Sequence, residues 1–277
     1  MTRQTQLSIA EIVDLEVYPV DDTEAPERSA LIDRCQRDLT EHLCCSIDGF
    51  IQPAALKAMA QEALALRPEA YDNNSRRNCY LQRQGDASLP KKHPRNHLED
   101  TSTRMLAYDQ ISDESPLKAF YHADAVREMI AEIVGCEKLF DNEDPYQPAN
   151  YVCYEDGDQS SWHFDSDNSF TVTLMVQAAD EGGEFQMSPG TRTDTDQNYD
   201  HVAAVLHGER DETIISVGRK PGALCIFRGC NALHRVTPVS GETMRIMGVF
   251  VYEREPGVLG DQEVNETIYG DRVAITS

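Results

Sequence analysis

Beyond about residue 138 the chain stops reading in helical periods and breaks into short segments that suit only strands. Residues 150–154, 162–165, 170–177, 223–228 and 244–252 are brief and rich in β-branched and aromatic side chains. Gly, Asp and Pro separate them. Several short strands with turn signals between them point to an antiparallel sandwich or jelly roll. The first half reads differently. Over 27–44, Leu31, Cys35, Leu39 and Leu43 recur at helical spacing. Pro53 sits where a helix would begin, and Leu56, Met59, Ala60, Ala63 and Leu66 then form one apolar stripe. Ser115 and Pro116 make an N-cap and first-turn pair, with Leu117, Phe120, Tyr121, Met129, Ile130 and Ile133 following before Gly135 stops the helix. Residues 68–113 are polar and rich in Arg, Asn, His and Pro, and read as long loops with short elements, forming a lid. The expectation is one α+β domain over 1–277: a mainly helical part at 1–137, a β-core at 138–255 and a tail at 256–277.

Composition narrows the functions open to such a domain. The 277 residues are 40% hydrophobic and 26% charged, which allows a real core in an ordinary water-soluble chain. The formal net charge of −23 argues against nucleic-acid partners, which need clustered Lys and Arg, and against an anionic membrane surface. No apolar run is long enough to span a bilayer, and the opening residues 1–6 lead into no apolar stretch, so no export signal is expected. The eight cysteines, at 35, 44, 45, 79, 136, 153, 225 and 230, form no Cys-x-x-Cys pair and read as reduced core thiols. A cytoplasmic protein, monomer or homodimer, is expected.

The chemistry concentrates in Ser161-Trp162-His163-Phe164-Asp165. Side chains two apart on a strand share a face, so His163 and Asp165 can ligate one ion together. A third ligand is available at His234, in Ala232-Leu233-His234-Arg235-Val236. Two His and one carboxylate that leave open positions form the facial triad of oxygen-activating Fe(II) enzymes. A lone His-x-Asp is weak, and a lone His in a strand is more often a hydrogen-bonded core residue. The third feature is Arg245, which follows His234 with ten residues between them and sits in an otherwise apolar strand. An arginine in such a place needs a partner, and a dicarboxylate held in bidentate fashion would serve.

His163-x-Asp165, then His234, then Arg245 resembles the signature of 2-oxoglutarate-dependent Fe(II) oxygenases, over roughly residues 145–252. Trp162-His163-Phe164-Asp165, Gly182-Gly183-Glu184-Phe185, Phe227-Arg228-Gly229 and 231–238 are similar to the branch that hydroxylates or halogenates free amino acids. The resemblance implies a double-stranded β-helix (jelly-roll, cupin-like) core with N-terminal helices packed on it. It implies Fe(II) on His163, Asp165 and His234, and 2-oxoglutarate held at its distal carboxylate by Arg245. It also implies dioxygen as oxidant, with succinate and carbon dioxide formed as an unactivated C–H bond is oxidised. The halogenases of that branch carry a small residue where this chain has Asp165, which leaves chloride a coordination site. Asp165 fills it, so hydroxylation is expected over halogenation, with desaturation or ring closure open to the same iron.

Binding residues are less determined. Arg245, Met247, Val249 and Val251 alternate and would share a face, so Val249 and Val251 either line an apolar substrate pocket or are barrel core. A small aliphatic amino acid fits such walls better than one carrying a second charge. Arg76 and Arg77 are candidate grips for its carboxylate, and Glu143 and Asp144 for its ammonium. Thr173, with Thr171, and Tyr154 could hydrogen-bond 2-oxoglutarate, although strand packing explains them equally well. His93 and His97 are spaced for a helix but flank Pro94, and with His42, His122, His201 and His207 they read as surface or core histidines. Hydroxylation of a residue within a protein, or a non-catalytic cupin-like metal sensor, are the competing readings. The sensor has no use for Arg245.

Overall fold

The computed structural model describes residues 7–165 and 170–273. Most of the opening stretch, from which no export signal is expected, lies outside them. The seven helices of the described residues are α1 (Ile9–Ile12), α2 (Pro26–His42), α3 (Pro53–Leu66), α4 (Pro116–Tyr121), α5 (Asp124–Val134), α6 (Tyr199–Leu206) and α7 (Gln262–Tyr269). The strands that build the core are β1 (Cys44–Ile47), β2 (Tyr71–Arg77), β3 (Glu99–Leu106), β4 (Ala149–Tyr154), β5 (Ser160–His163) and β6 (Thr171–Gln177). They continue with β7 (Phe185–Ser188), β8 (Ile215–Val217), β9 (Leu224–Phe227), β10 (Leu233–Val236) and β11 (Arg245–Phe250). A major sheet runs in the order β1-β9-β6-β11-β4-β3-β2 and a minor sheet in the order β8-β7-β10-β5. Neighbours within both sheets are antiparallel.

Strand alternation sorts the side chains of the major sheet. Val172, Leu174, Leu224, Ile226, Ile246 and Phe250 join the main core with Ile32, Met59, Phe120 and Met129 of the helices. Thr171, Thr173, Cys225, Phe227, Arg245 and Tyr154 occupy the opposite parity, facing the minor sheet. There Phe185, Met187 and Val236 complete a second apolar cluster with Tyr154, Cys225 and Phe227. Leu233 and Trp162 turn to the outside of the minor sheet and are covered by Val202, Val205 and Leu206 of α6. This is the expected jelly-roll core with helices on its outer face.

Three expectations need correction. Residues 68–113 are not mainly loop: β2 and β3 pair in register from Tyr71↔Met105 to Arg77↔Glu99 and extend the major sheet. The sequence of β2 is polar because it is an edge strand with one exposed face, where the partner strand decides pairing more than propensity does. With β1 also in the sheet, the division at 137 does not separate helix from strand. The helix begun at Pro116 is two helices, broken at His122 and Ala123. His122 is held between the Tyr108 hydroxyl at 2.7 Å and Asp141 at 2.9 Å, and the chain restarts at Asp124 on the Ala123 carbonyl. Finally, β5 covers Ser160–His163, so Asp165 lies past its end.

Candidate active site

Cross-strand register brings the two histidines together. His234 of β10 pairs directly with His163 of β5, and their ring centroids are 4.2 Å apart. His163 Nδ1 lies 2.7 Å from Ser161 O, and His234 Nδ1 lies 2.9 Å from Ala232 O. A carbonyl only accepts, so each Nδ1 carries the proton and donates it, which leaves each Nε2 with its lone pair. Those Nε2 atoms stand 3.7 Å and 3.4 Å from Asp165 Oδ1. Among the described residues, this trio brings its ligand atoms within 4.8 Å of one another, a span that one divalent ion can bridge.

Asp165 is aimed by its surroundings, since it has left the strand. Its N–H donates to Gly229 O at 3.1 Å, and the Thr171 hydroxyl donates to its Oδ2 at 2.5 Å. That leaves Oδ1 turned toward the imidazoles. A Cβ on residue 229 would overlap Asp165 Oδ2, which is the physical content of the Phe227-Arg228-Gly229 string. Burial alone would raise the Asp165 carboxyl, but His234, His163 and the Thr171 hydroxyl together hold it well below its usual value. Burial, followed by the neighbouring His234, pushes His163 down to about 3. At neutral pH the site therefore presents a carboxylate and a neutral His163, the forms that bind metal.

Arg245 opens β11 opposite Tyr154 of β4 and is 1% exposed. Its Nε donates to Gly183 O at 3.0 Å, and its guanidinium lies 5.0 Å from the Tyr154 ring centroid. Its Nη1 and Nη2 are buried without a protein partner. Burial lowers its pKa to about 10, with Tyr154 opposing that shift and Arg219 adding to it. Gly183 has φ +64, and a Cβ there would stand 2.7 Å from Arg245 Cδ, so the Gly182-Gly183 string makes room for this side chain. Tyr154 is buried, and burial raises its pKa against the pull of Arg245 and Arg77. Thr173 Oγ1 accepts from Arg219 Nη1 at 3.0 Å.

The remaining candidates divide. Arg76 turns outward to an exposed pair with Asp100 at 3.7 Å. Arg77, one residue on, turns inward. Burial lowers its pKa, Tyr154 and Asp165 oppose that shift, and its Nε is buried without a partner. One strand cannot send adjacent residues to the same face, so Arg76 is not a grip in this site. Asp144 is not one either: its Oδ1 accepts from the Tyr146 and Gln147 N–H groups, and its Oδ2 from Gly260 N and Asn265 Nδ2. That buried carboxylate ties the tail helix to the loop before β4. Glu143 is exposed, with its N–H on Val258 O. Val249 and buried Met247 follow Arg245 on its face, whereas Val251 falls past the end of β11, where its carbonyl accepts from the Tyr121 hydroxyl at 2.8 Å. Thr171 is committed to Asp165 rather than free for 2-oxoglutarate. Of the other histidines, His93 caps Arg95 N at 3.2 Å and His97 packs 5.0 Å from His207. All eight cysteines are free thiols. Nothing in the sequence singles out Arg219, because Gly218-Arg219-Lys220-Pro221-Gly222 has the composition of any exposed turn.

Several solved structures resemble this chain in fold. A 2OG-Fe(II) oxygenase-family oxidoreductase from Burkholderia pseudomallei is 15% identical, with a TM-score of 0.51 over 82% of this chain and 92% of that one. A prolyl hydroxylase from Trichoplax adhaerens, in complex with a peptide fragment of the hypoxia inducible factor oxygen degradation domain, is 14% identical, with a TM-score of 0.51 over 84% and 96%. The epimerase SnoN, in complex with Fe3+, α-ketoglutarate and nogalamycin RO, is 12% identical, with a TM-score of 0.53 over 81% and 84%. At such identities the likeness is one of fold. No curated protein matches the sequence. The family model described as Halogenase D matches residues 27–269, nearly the whole chain. The chain belongs to the Halogenase D family.

Proposed function

We propose that this protein is a 2-oxoglutarate- and Fe(II)-dependent oxygenase that hydroxylates an unactivated C–H bond of a small free amino acid with an aliphatic side chain. One observation carries the reading. Two tautomer-fixed imidazoles and a carboxylate converge in a jelly roll whose inner wall also buries the unpartnered guanidinium of Arg245. Burying charged donors without an acceptor is costly, so an anionic co-substrate belongs there. SnoN, which shares the fold, is described with Fe3+ and α-ketoglutarate bound.

In this reading His163 and His234 would hold iron through Nε2 and Asp165 would hold it through Oδ1. Arg245 grips the distal carboxylate of 2-oxoglutarate, with Tyr154 and Thr173 beside it. Arg77 takes the substrate carboxylate, and Met247 and Val249 offer an apolar wall to its side chain. With dioxygen, iron and 2-oxoglutarate supply the oxidising chemistry. The chain orients the reactants and keeps bulk water away from them.

Membership in a family called Halogenase D raises the question of which group is transferred. Asp165 would take the coordination position that a chloride needs, which favours hydroxylation over halogenation in this reading. A mass-spectrometric screen tests this. Protein, Fe(II), 2-oxoglutarate, chloride and air are incubated with each standard amino acid, and with peptides because one fold neighbour is a prolyl hydroxylase. The expected product carries one added oxygen and appears with stoichiometric succinate. A chlorinated product would refute hydroxylation, a peptide product would refute the substrate class, and loss of two hydrogens would indicate desaturation or ring closure. No succinate with any substrate would favour the metal sensor.

A further inference from the structure

Arg245 is not the only unpaired cation in the wall facing the triad. Arg219 leaves the turn between β8 and β9, and its guanidinium carbon lies 3.7 Å from the Phe185 ring centroid and 5.4 Å from that of Phe227. Those two rings pack against His234, with centroids 5.6 Å and 5.2 Å away. Arg219 Nη1 is used by Thr173 Oγ1 at 3.0 Å. Its Nε and Nη2 are buried without a protein partner, as are Nη1 and Nη2 of Arg245. Among the described residues no carboxylate is paired with either arginine. Two like charges that repel, with four unused buried nitrogens and the Cys225 thiol beside Arg219, favour an anion shared between them. The unused nitrogens form two forks: the side-on Nε/Nη2 edge of Arg219 and the end-on Nη1/Nη2 edge of Arg245. Each matches the two oxygens of a carboxylate. Arg77, the other inward cation, is a separate feature whose electrostatic partners are Tyr154 and Asp165.

We propose that Arg219 is a second anchor for 2-oxoglutarate, closing with Arg245 around its distal carboxylate. The proposal rests on the oxygenase reading above. Thr173 has a part in it: it accepts from Nη1, which leaves Nε and Nη2 of Arg219 for the anion, and its own hydroxyl proton stays available. The Phe185 and Phe227 faces support the guanidinium where no acidic side chain could without neutralising it. This wall therefore selects a 2-oxo acid with a second carboxylate over one with an apolar tail.

The test is a binding measurement on the full-length protein under anaerobic conditions. It follows the weak visible charge-transfer band of the Fe(II) chelate. Wild type, Arg219→Met, Arg219→Lys and Arg245→Met are titrated with 2-oxoglutarate and with 2-oxobutanoate, which has the same chelating head and no distal carboxylate. Loss of charge-assisted hydrogen bonds predicts that Arg219→Met raises the dissociation constant for 2-oxoglutarate roughly ten- to a hundredfold. It should leave 2-oxobutanoate within about twofold, and Arg219→Lys should recover part of the loss. Unchanged 2-oxoglutarate binding overturns the proposal. So does equal weakening of both acids, which marks a structural role through Phe185 and Phe227. An effect confined to the KM of the amino-acid substrate overturns it in favour of a substrate anchor. If Arg219→Met does not melt as a folded protein, the ratio of the two acids in Arg219→Lys decides. Absence of the band in wild type refutes the oxygenase reading itself, a failure distinct from any difference between variants.

Discussion

At the residue scale, the candidate metal trio is positioned by groups outside the ligand set. Asp165 lies beyond its strand, so the Thr171 hydroxyl and the passing backbone of Gly229 set its carboxylate plane. Partners of this kind commonly account for about ten- to a hundredfold in metal affinity. Thr171→Val should therefore weaken Fe(II) or Mn(II) binding by about that factor, measured by calorimetric titration, with the melting temperature nearly unchanged. Gly229→Ala should be more severe. The added methyl takes the space of Asp165 Oδ2, so the carboxylate must swing away. Metal binding is then expected to fall below detection while far-ultraviolet circular dichroism keeps its native form. A Gly229→Ala variant that bound metal normally would show that the carboxylate has room elsewhere.

At the element scale, a cluster of charged side chains joins the edge strand β2 and its neighbour β3 to the end of α3 and the turn after β4. Arg67, at the end of α3, makes a bidentate pair with Glu155 at 2.7 and 2.8 Å. Arg104 of β3 adds contacts at 3.4 Å to Glu155 and 3.0 Å to Asp158. The Arg67 hydrogen bonds, outweighing burial, hold the Glu155 carboxyl below its ordinary value of 4.5. A depressed carboxylate contributes stability above its unfolded pKa and loses it as pH falls through the folded one. Glu155 is 41% exposed, so screening limits the contribution to about 1 kcal/mol or less. Glu155→Gln should lower the unfolding free energy by up to that amount at pH 7. The gap should narrow below about pH 4.5, as followed by urea denaturation. A gap that widened on acidification would contradict this account. Within the same element, only one of Arg76 and Arg77 can face inward, and strand parity chose Arg77.

At the scale of the whole molecule, the net charge of −23 surrounds an inner wall where Arg77, Arg219 and Arg245 all carry buried, unpartnered nitrogens. An apo protein built this way leaves buried cationic donors unsatisfied and should be stabilised by its anionic co-substrate. Ligand at a hundred times its dissociation constant adds about 2.7 kcal/mol to the stability of the folded state. Mn(II) with 2-oxoglutarate should raise the melting temperature by several degrees, and Mn(II) with 2-oxobutanoate by less. Equal shifts with the two acids would show that the buried arginines do not sense the distal carboxylate. Among the described residues, no helix is long and apolar enough to cross a membrane.

What the sequence determined by itself was the candidate ligand set, whose three side chains do converge, and the class of core. His163, Asp165, His234 and Arg245 were legible because metal chemistry permits few residue types, and because period-two strands and their turn residues are local signals. α3 began at Pro53, and α5 ended at Gly135 with φ 71, for the same local reason. What was not legible was decided by distance along the chain. The register that sets His234 against His163 joins residues 71 apart. The polar strand β2 exists because β3 pairs with it. The choice of Arg77 over Arg76 needed the orientation of the sheet, and the inward turn of Arg219 needed Phe185, Phe227 and Thr173 from three other strands. Such features follow from tertiary packing, where partners chosen across the fold override what any short window of sequence prefers.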